Sequence, residues 1–134
     1  VVTVLQNLSM TQKLICVALA GAVGTLARFG LSGWVQRVTP GTFPIGTFVV
    51  NMVGCFAFGT VWSALENRLG MAAELRLIVL TGFMGAFTTF SSFMFETGAL
   101  IEDGRWLWVA ANLVGQNALG LVCLFLGHAL GRVI

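Results

Sequence analysis

The residues able to do chemistry in this chain are few, and they sit in apolar surroundings. The densest group is Thr81-Gly82-Phe83-Met84-Gly85-Ala86-Phe87-Thr88-Thr89-Phe90-Ser91-Ser92-Phe93, where glycines precede four closely spaced hydroxyl residues. No cluster of acids, histidines or cysteines accompanies them, and no phosphate-cradling loop is evident, so hydrolysis and redox catalysis are not expected. What hydroxyls and aromatic rings together do well is solvate: the edge of a ring is electropositive and meets an anion without a fixed cation. Asn51 lies among Val49, Val50, Met52 and Val53. A buried amide without a partner costs about 2–7 kcal/mol, so it must bond either a neighbouring helix or a solute passing it. Gln116 and Asn117 pose the same choice, as does Asn112.

These groups need elements to hold them, and composition says which. Only 9% of the 134 residues are charged, 57% are hydrophobic and the mean hydropathy is +0.94. Soluble domains carry about 25% charged residues, so this is one membrane domain. A spanning helix needs about 20 mostly apolar residues. Four such segments are expected, from Lys13 to Trp34, Phe43 to Leu65, Leu75 to Ile101 and Trp106 to Leu130, joined by short connections. Trp34, Trp62, Trp106 and Trp108 fall near the ends of these segments, where amphipathic rings favour the membrane interface. Hydrophobicity continues to Ile134, unlike a signal peptide followed by a soluble remainder. The first segment is therefore read as retained, with residues 1–12 as an extension and 13–134 as the membrane subunit. Cys16, Cys55 and Cys123 are widely spaced in apolar helix sequence and predict neither a metal cluster nor a disulfide framework. A net charge of +2 gives no nucleic-acid footprint.

The third segment is a poor continuous helix. Glycine costs about 1 kcal/mol relative to alanine in a helix interior, and Ser or Thr can bond backbone groups that a break would free. A helix broken mid-membrane is expected, and irregular backbone at that depth is tolerated only where protein buries it or it lines a polar cavity. The other reading is an intact helix whose hydroxyls bond back to their own carbonyls. Phe90 and Phe93, three apart, share a face if helical. Arg28 and Glu96 fall late in their segments and either snorkel to the interface or serve a site. His128 reads as a helix-end interfacial residue.

With four spans, both termini and the second loop share one side, carrying Lys13, Arg68, Arg76 and Arg132; the other side has Arg37 and Arg105, with Arg28 near it. This bias is weak under the positive-inside rule. It permits dual topology, in which both orientations insert and pair as an antiparallel homodimer, as well as a single topology the count fails to reveal. The pairs Ala20/Gly24 and Gly127/Gly131 offer close-packing surfaces within one subunit or between two.

At this point the residues resemble a family. Pro44-Ile45-Gly46-Thr47-Phe48-Val49-Val50-Asn51 resembles the signature that opens the second helix of the Fluc (CrcB-type) fluoride channels and ends in their pore asparagine. Thr81 to Phe93 is similar to the same family's helix-break motif, with Glu96 following at the family's spacing and Gly21-x-x-Gly24-x-x-x-Arg28 matching its first helix. Ala86 stands where a glycine is usual, Gln116 where Asn or His is frequent, and Gly120 where Ser is frequent. The resemblance implies an all-α, antiparallel, dual-topology homodimer in the inner or plasma membrane, exporting fluoride passively through two pores. It implies a fluoride path along Asn51, Phe90 and Phe93, extended by Thr47, Thr89, Ser91, Ser92 and Gln116. It also implies a central structural Na+ on the backbone carbonyls of Gly85 and Thr88, with Arg28 and Glu96 as vestibule or structural charges. The rival is a small multidrug-resistance-type proton-coupled cation exporter, which needs a membrane-embedded carboxylate. The first segment has none.

Overall fold

The computed structural model describes residues 8–66 and 73–134; residues 1–7, and with them most of the expected extension, and Arg68 lie outside the described residues. Among the described residues, four helical spans are long and apolar enough to cross a membrane. Helix α1 runs Met10–Val38 and α2 Ile45–Glu66. The third span is composite: α3 (Ala73–Arg76), a π-helical stretch Leu77–Met84, α4 (Gly85–Phe87) and, after a break, α5 (Phe90–Glu102). Helix α6 runs Trp106–Gly131.

The helix ends follow from local chemistry. Ser9 caps α1 by accepting the Gln12 N–H at 3.3 Å, while the Gln12 side chain accepts the Ser9 N–H at 2.8 Å. This reciprocal capping box satisfies two orphan donors and starts the helix three residues before the apolar run does. At the other end Thr39 closes back onto the Val35 carbonyl with both its N–H and its hydroxyl, and Pro40 follows. The turn from α5 to α6 passes through Gly104 at φ +68°, a left-handed conformation that glycine adopts without strain.

In lipid, helices gain little from burying apolar surface against each other, and close van der Waals contact must hold them. Small residues provide it here. A Cβ on Gly24 would collide with the Phe83 carbonyl, and one on Gly82 would meet Val17 and Ala20 at 3.0 Å, so α1 lies directly on the π stretch. Gly59 presses on the Leu124 carbonyl, and Gly127 and Gly131 on the carbonyls of Phe56 and Thr60. Along α2 and α6 the contacts climb together, Gly115 with Phe48, Gly120 with Met52 and Cys55, Gly131 with Thr60 and Ser63, so the two helices run parallel. Both small-xxx-small pairs thus close contacts inside this chain. The outer surface keeps large apolar side chains such as Leu19, Phe29, Phe95, Leu107 and Phe125 exposed, as a surface meeting lipid or protein requires.

The third span is broken as expected, within Thr81 to Phe93. Gly82 and Gly85 remain helical, and the interruption falls at Thr88 and Thr89, both in extended conformation. Gly82 instead serves the approach of α1. The π stretch has no counterpart in the residue pattern.

Candidate ion pathway

The break is built by hydroxyls that take over backbone hydrogen bonds. Thr88 returns both its N–H and its hydroxyl to the Met84 carbonyl, each at 3.1 Å. Thr89 then caps α5, its Oγ1 accepting the Ser92 N–H at 3.2 Å and lying 2.9 Å from Ser92 Oγ. In a continuous helix the Thr89 N–H would bond the Gly85 carbonyl. Here it goes to Asn51 Oδ1 at 3.0 Å. The Ser92 N–H would likewise bond the Thr88 carbonyl but goes to the cap. The helical donors of the Gly85 and Thr88 carbonyls are therefore diverted, and Gly85 is exposed.

Asn51 projects from α2 into this gap. Its amide donates to the Thr89 carbonyl at 3.3 Å and to Gln116 Oε1 at 2.7 Å. Gln116 donates to Asn112 Oδ1 at 3.0 Å, Asn112 to Thr97 Oγ1 at 2.9 Å, and Thr97 to the Phe93 carbonyl at 2.7 Å. Asn112 is fully buried and Thr97 and Gln116 nearly so. A connected chain of this kind satisfies each member and ties α2, α5 and α6 to the break. Asn112 and Thr97 are the members that sequence reasoning did not place in the site. The available signal was spacing: Asn112 is four before Gln116, and Thr97 four after Phe93.

Two cavities meet at the break. The larger, about 590 Å³, is lined by Arg28, Ser32, Thr47, Thr89, Ser92 and Glu96, among others. The smaller, about 290 Å³, is lined by Asn51, Thr88, Phe90, Phe93, Gln116 and Asn117, among others, with Thr89 forming the wall common to both. Arg28 brings its charge into the larger one, held by a 3.1 Å bond from Nε to the Ala86 carbonyl, so it is tethered to the break and not free to snorkel away. Glu96 accepts the Thr47 hydroxyl at 2.5 Å through Oε1, while its Oε2 is buried without a hydrogen-bond partner among the described residues. Among the described residues, no lysine, arginine or histidine lines the smaller cavity. Phe93 is buried and Phe90 is 73% exposed, with ring centroids 5.7 Å apart and planes at 64°, an edge-to-face pair. Ser91 is exposed and lines neither cavity; its hydroxyl lies 3.3 Å from that of Thr89.

Four apolar spans, with polar side chains gathered where one of them is interrupted, define a multi-pass membrane protein with a polar seam at membrane depth. The chain belongs to the family described as CrcB-like protein, Camphor Resistance (CrcB), which it matches over residues 15–128. Among its relatives is a protein of Nitrosococcus oceani described as fluoride-specific ion channel FluC, 56% identical over 125 residues that cover 93% of this chain and 100% of the relative. Proteins with the same description from Nitratidesulfovibrio vulgaris (strain Miyazaki F) and Solidesulfovibrio magneticus are 55% and 57% identical, over 92% and 93% of this chain and 99% and 100% of their own lengths.

Proposed function

We propose that this chain is the subunit of a passive, fluoride-selective channel that exports fluoride from the cytoplasm. The observation that carries the proposal is the smaller cavity, where the Asn51 amide, Gln116 and the edge-to-face pair of Phe90 and Phe93 converge with no lysine or arginine among the described lining residues. Its relatives' description as fluoride-specific channels points the same way. Fluoride is small and strongly hydrated, so a selective pore must replace its water with close donors and weakly positive ring edges. A fixed cation there would trap the ion. Both Asn51 amide hydrogens are engaged, with Thr89 and Gln116, so an entering fluoride takes the place of one of those acceptors. The hydroxyls of Thr47, Thr89 and Ser92 and the charge of Arg28 continue the path into the larger cavity.

The pathway is incomplete in one chain. Phe90 and Gly85 stand exposed at the break, and irregular backbone at membrane depth must be covered by protein or line a polar cavity. A second copy in antiparallel orientation supplies that cover, permitted by the weak charge bias, and gives two pores per homodimer in the inner membrane. The diverted carbonyls of Gly85 and Thr88 fit a hard cation such as Na+. When bound there, Na+ would join the two breaks and add positive potential near the anion paths.

Purified protein in liposomes should release fluoride, followed with a fluoride electrode, and hold back chloride. Equal release of both anions defeats the proposal, and transport of an aromatic cation without fluoride selects the multidrug exporter. That rival finds no support in the relatives' descriptions, and α1 has no carboxylate for it.

A further inference from the structure

Cys55 and Cys123 take no part in the pathway described above, yet the parallel packing of α2 and α6 brings them together. Gly120 faces Met52 and Cys55, and Gly127 faces Phe56 and Thr60. Cys123 lies between those glycines and Cys55 between their partners, so the two residues stand at one level on facing helices. Both are half-buried. Gly120 leaves the space beside Cys55 open: an added Cβ would sit 3.5 Å from its Sγ. Cys55 also lines the smaller cavity with Asn51, Phe93 and Gln116. Cys16 is on α1, outside this helix pair.

We propose that Cys55 and Cys123 form a two-thiol site for a soft monovalent cation, and that its occupation shuts the adjoining anion path. The electrostatic half of this inference rests on the fluoride-channel reading; the binding half does not. Soft thiolate ligands select soft metals, and monovalent coinage ions accept two sulfurs without further donors. Binding converts two thiols and one Ag+ into a negatively charged dithiolate complex, RS–Ag–SR⁻, with two protons released to water. The site thereby gains a net negative charge on the wall of the cavity that holds the Asn51 amide. A fixed negative charge there repels an entering anion, more strongly in a desolvated site than in water.

Silver ion is the probe, in chloride-free buffer, since its fluoride salt is soluble. Purified dimer or detergent-solubilised chain should bind about one Ag+ per chain through Cys55 and Cys123. Cys16→Ser should leave that stoichiometry unchanged, and the double variant Cys55→Ser/Cys123→Ser should lose the site. In liposomes Ag+ should slow fluoride efflux roughly tenfold or more, reversibly on adding dithiothreitol, with each variant compared against its own silver-free rate. Binding and block that persist in the double variant, or that vanish in Cys16→Ser, overturn the site. Silver bound through Cys55 and Cys123 with efflux unchanged overturns the shutting of the path. Absence of efflux before silver is added contradicts the channel reading instead, and the binding measurement still decides the thiol pair.

Discussion

At the scale of single residues, the site depends on groups that do two jobs. Asn51 completes the capping of a broken helix and also presents the amide that an anion would meet. Gln116 holds that amide in place from α6, and removing it should separate structure from conduction. Gln116→Leu leaves one Asn51 amide N–H and the Asn112 Oδ1 without the bonds that Gln116 makes to them, at a cost of about 1–3 kcal/mol. Thermal unfolding in detergent should register that loss, whereas a variant as stable as the parent would show that the chain of amides carries no strength. The phenylalanines test the anion chemistry more directly. Replacing Phe93 or Phe90 with Ile keeps an apolar side chain and should cost less than about 1.5 kcal/mol, but it removes the electropositive ring edge. Folded Phe90→Ile and Phe93→Ile proteins should lose fluoride efflux by roughly tenfold or more. Unchanged rates in both would remove the rings from the path. Of the residues singled out by type and motif, Thr47, Asn51, Thr89, Ser92, Phe93, Gln116, Arg28 and Glu96 line the two cavities. Asn112 and Thr97 were harder to foresee because their role is to connect other groups, and a connection depends on which helices face each other.

Among the elements, the third span shows where local pattern stops being informative. Glycines and hydroxyls together predicted a break within Thr81 to Phe93 without locating it, and Gly82 and Gly85 stay helical, with Gly82 admitting α1. The break falls where Asn51, on another helix, offers Thr89 an alternative acceptor. Glycine at helix contacts is tested through α2 and α6. In Gly127→Ala the new methyl meets the Phe56 backbone and must push two packed helices apart, costing about 1–3 kcal/mol. Gly30→Ala, with open space around it, should be neutral or gain up to about 1 kcal/mol from helix propensity. Thermal midpoints that move equally in the two variants would contradict close packing as the bond between these helices.

For the whole molecule, the exposure of Gly85 and Phe90 at the break is the ground for the proposed partner. An antiparallel homodimer predicts that a tag placed after Ile134 is reached from both sides of the membrane in similar fractions; a tag reached from one side only rules the arrangement out. If Na+ sits on the Gly85 and Thr88 carbonyls, it binds the folded dimer alone and stabilises it by mass action. Exchanging Na+ for a bulky organic cation should then lower the dimer's thermal midpoint, and an unchanged midpoint would argue against the ion.

Composition alone determined that the chain is a four-span membrane protein, because apolar runs of spanning length in a chain this poor in charge have no other stable solvent. The family was legible only as a resemblance of the motifs at residues 44–51 and 81–93, while the cost of hydroxyls and an amide in a bilayer said that those residues serve a use. What the tertiary structure decided is where the third helix opens, which carbonyls lose their helical donors, and that α2 and α6 run side by side in parallel. The Thr88 carbonyl loses its donor to a local cap three residues long, Ser92 to Thr89. The opening at Thr89, the diversion of the Gly85 carbonyl's donor and the helix pairing depend instead on residues 38 or more positions apart, such as Asn51 with Thr89 and Gln116. A local pattern cannot specify such a pairing, because the competing partner that wins the hydrogen bond lies on another helix.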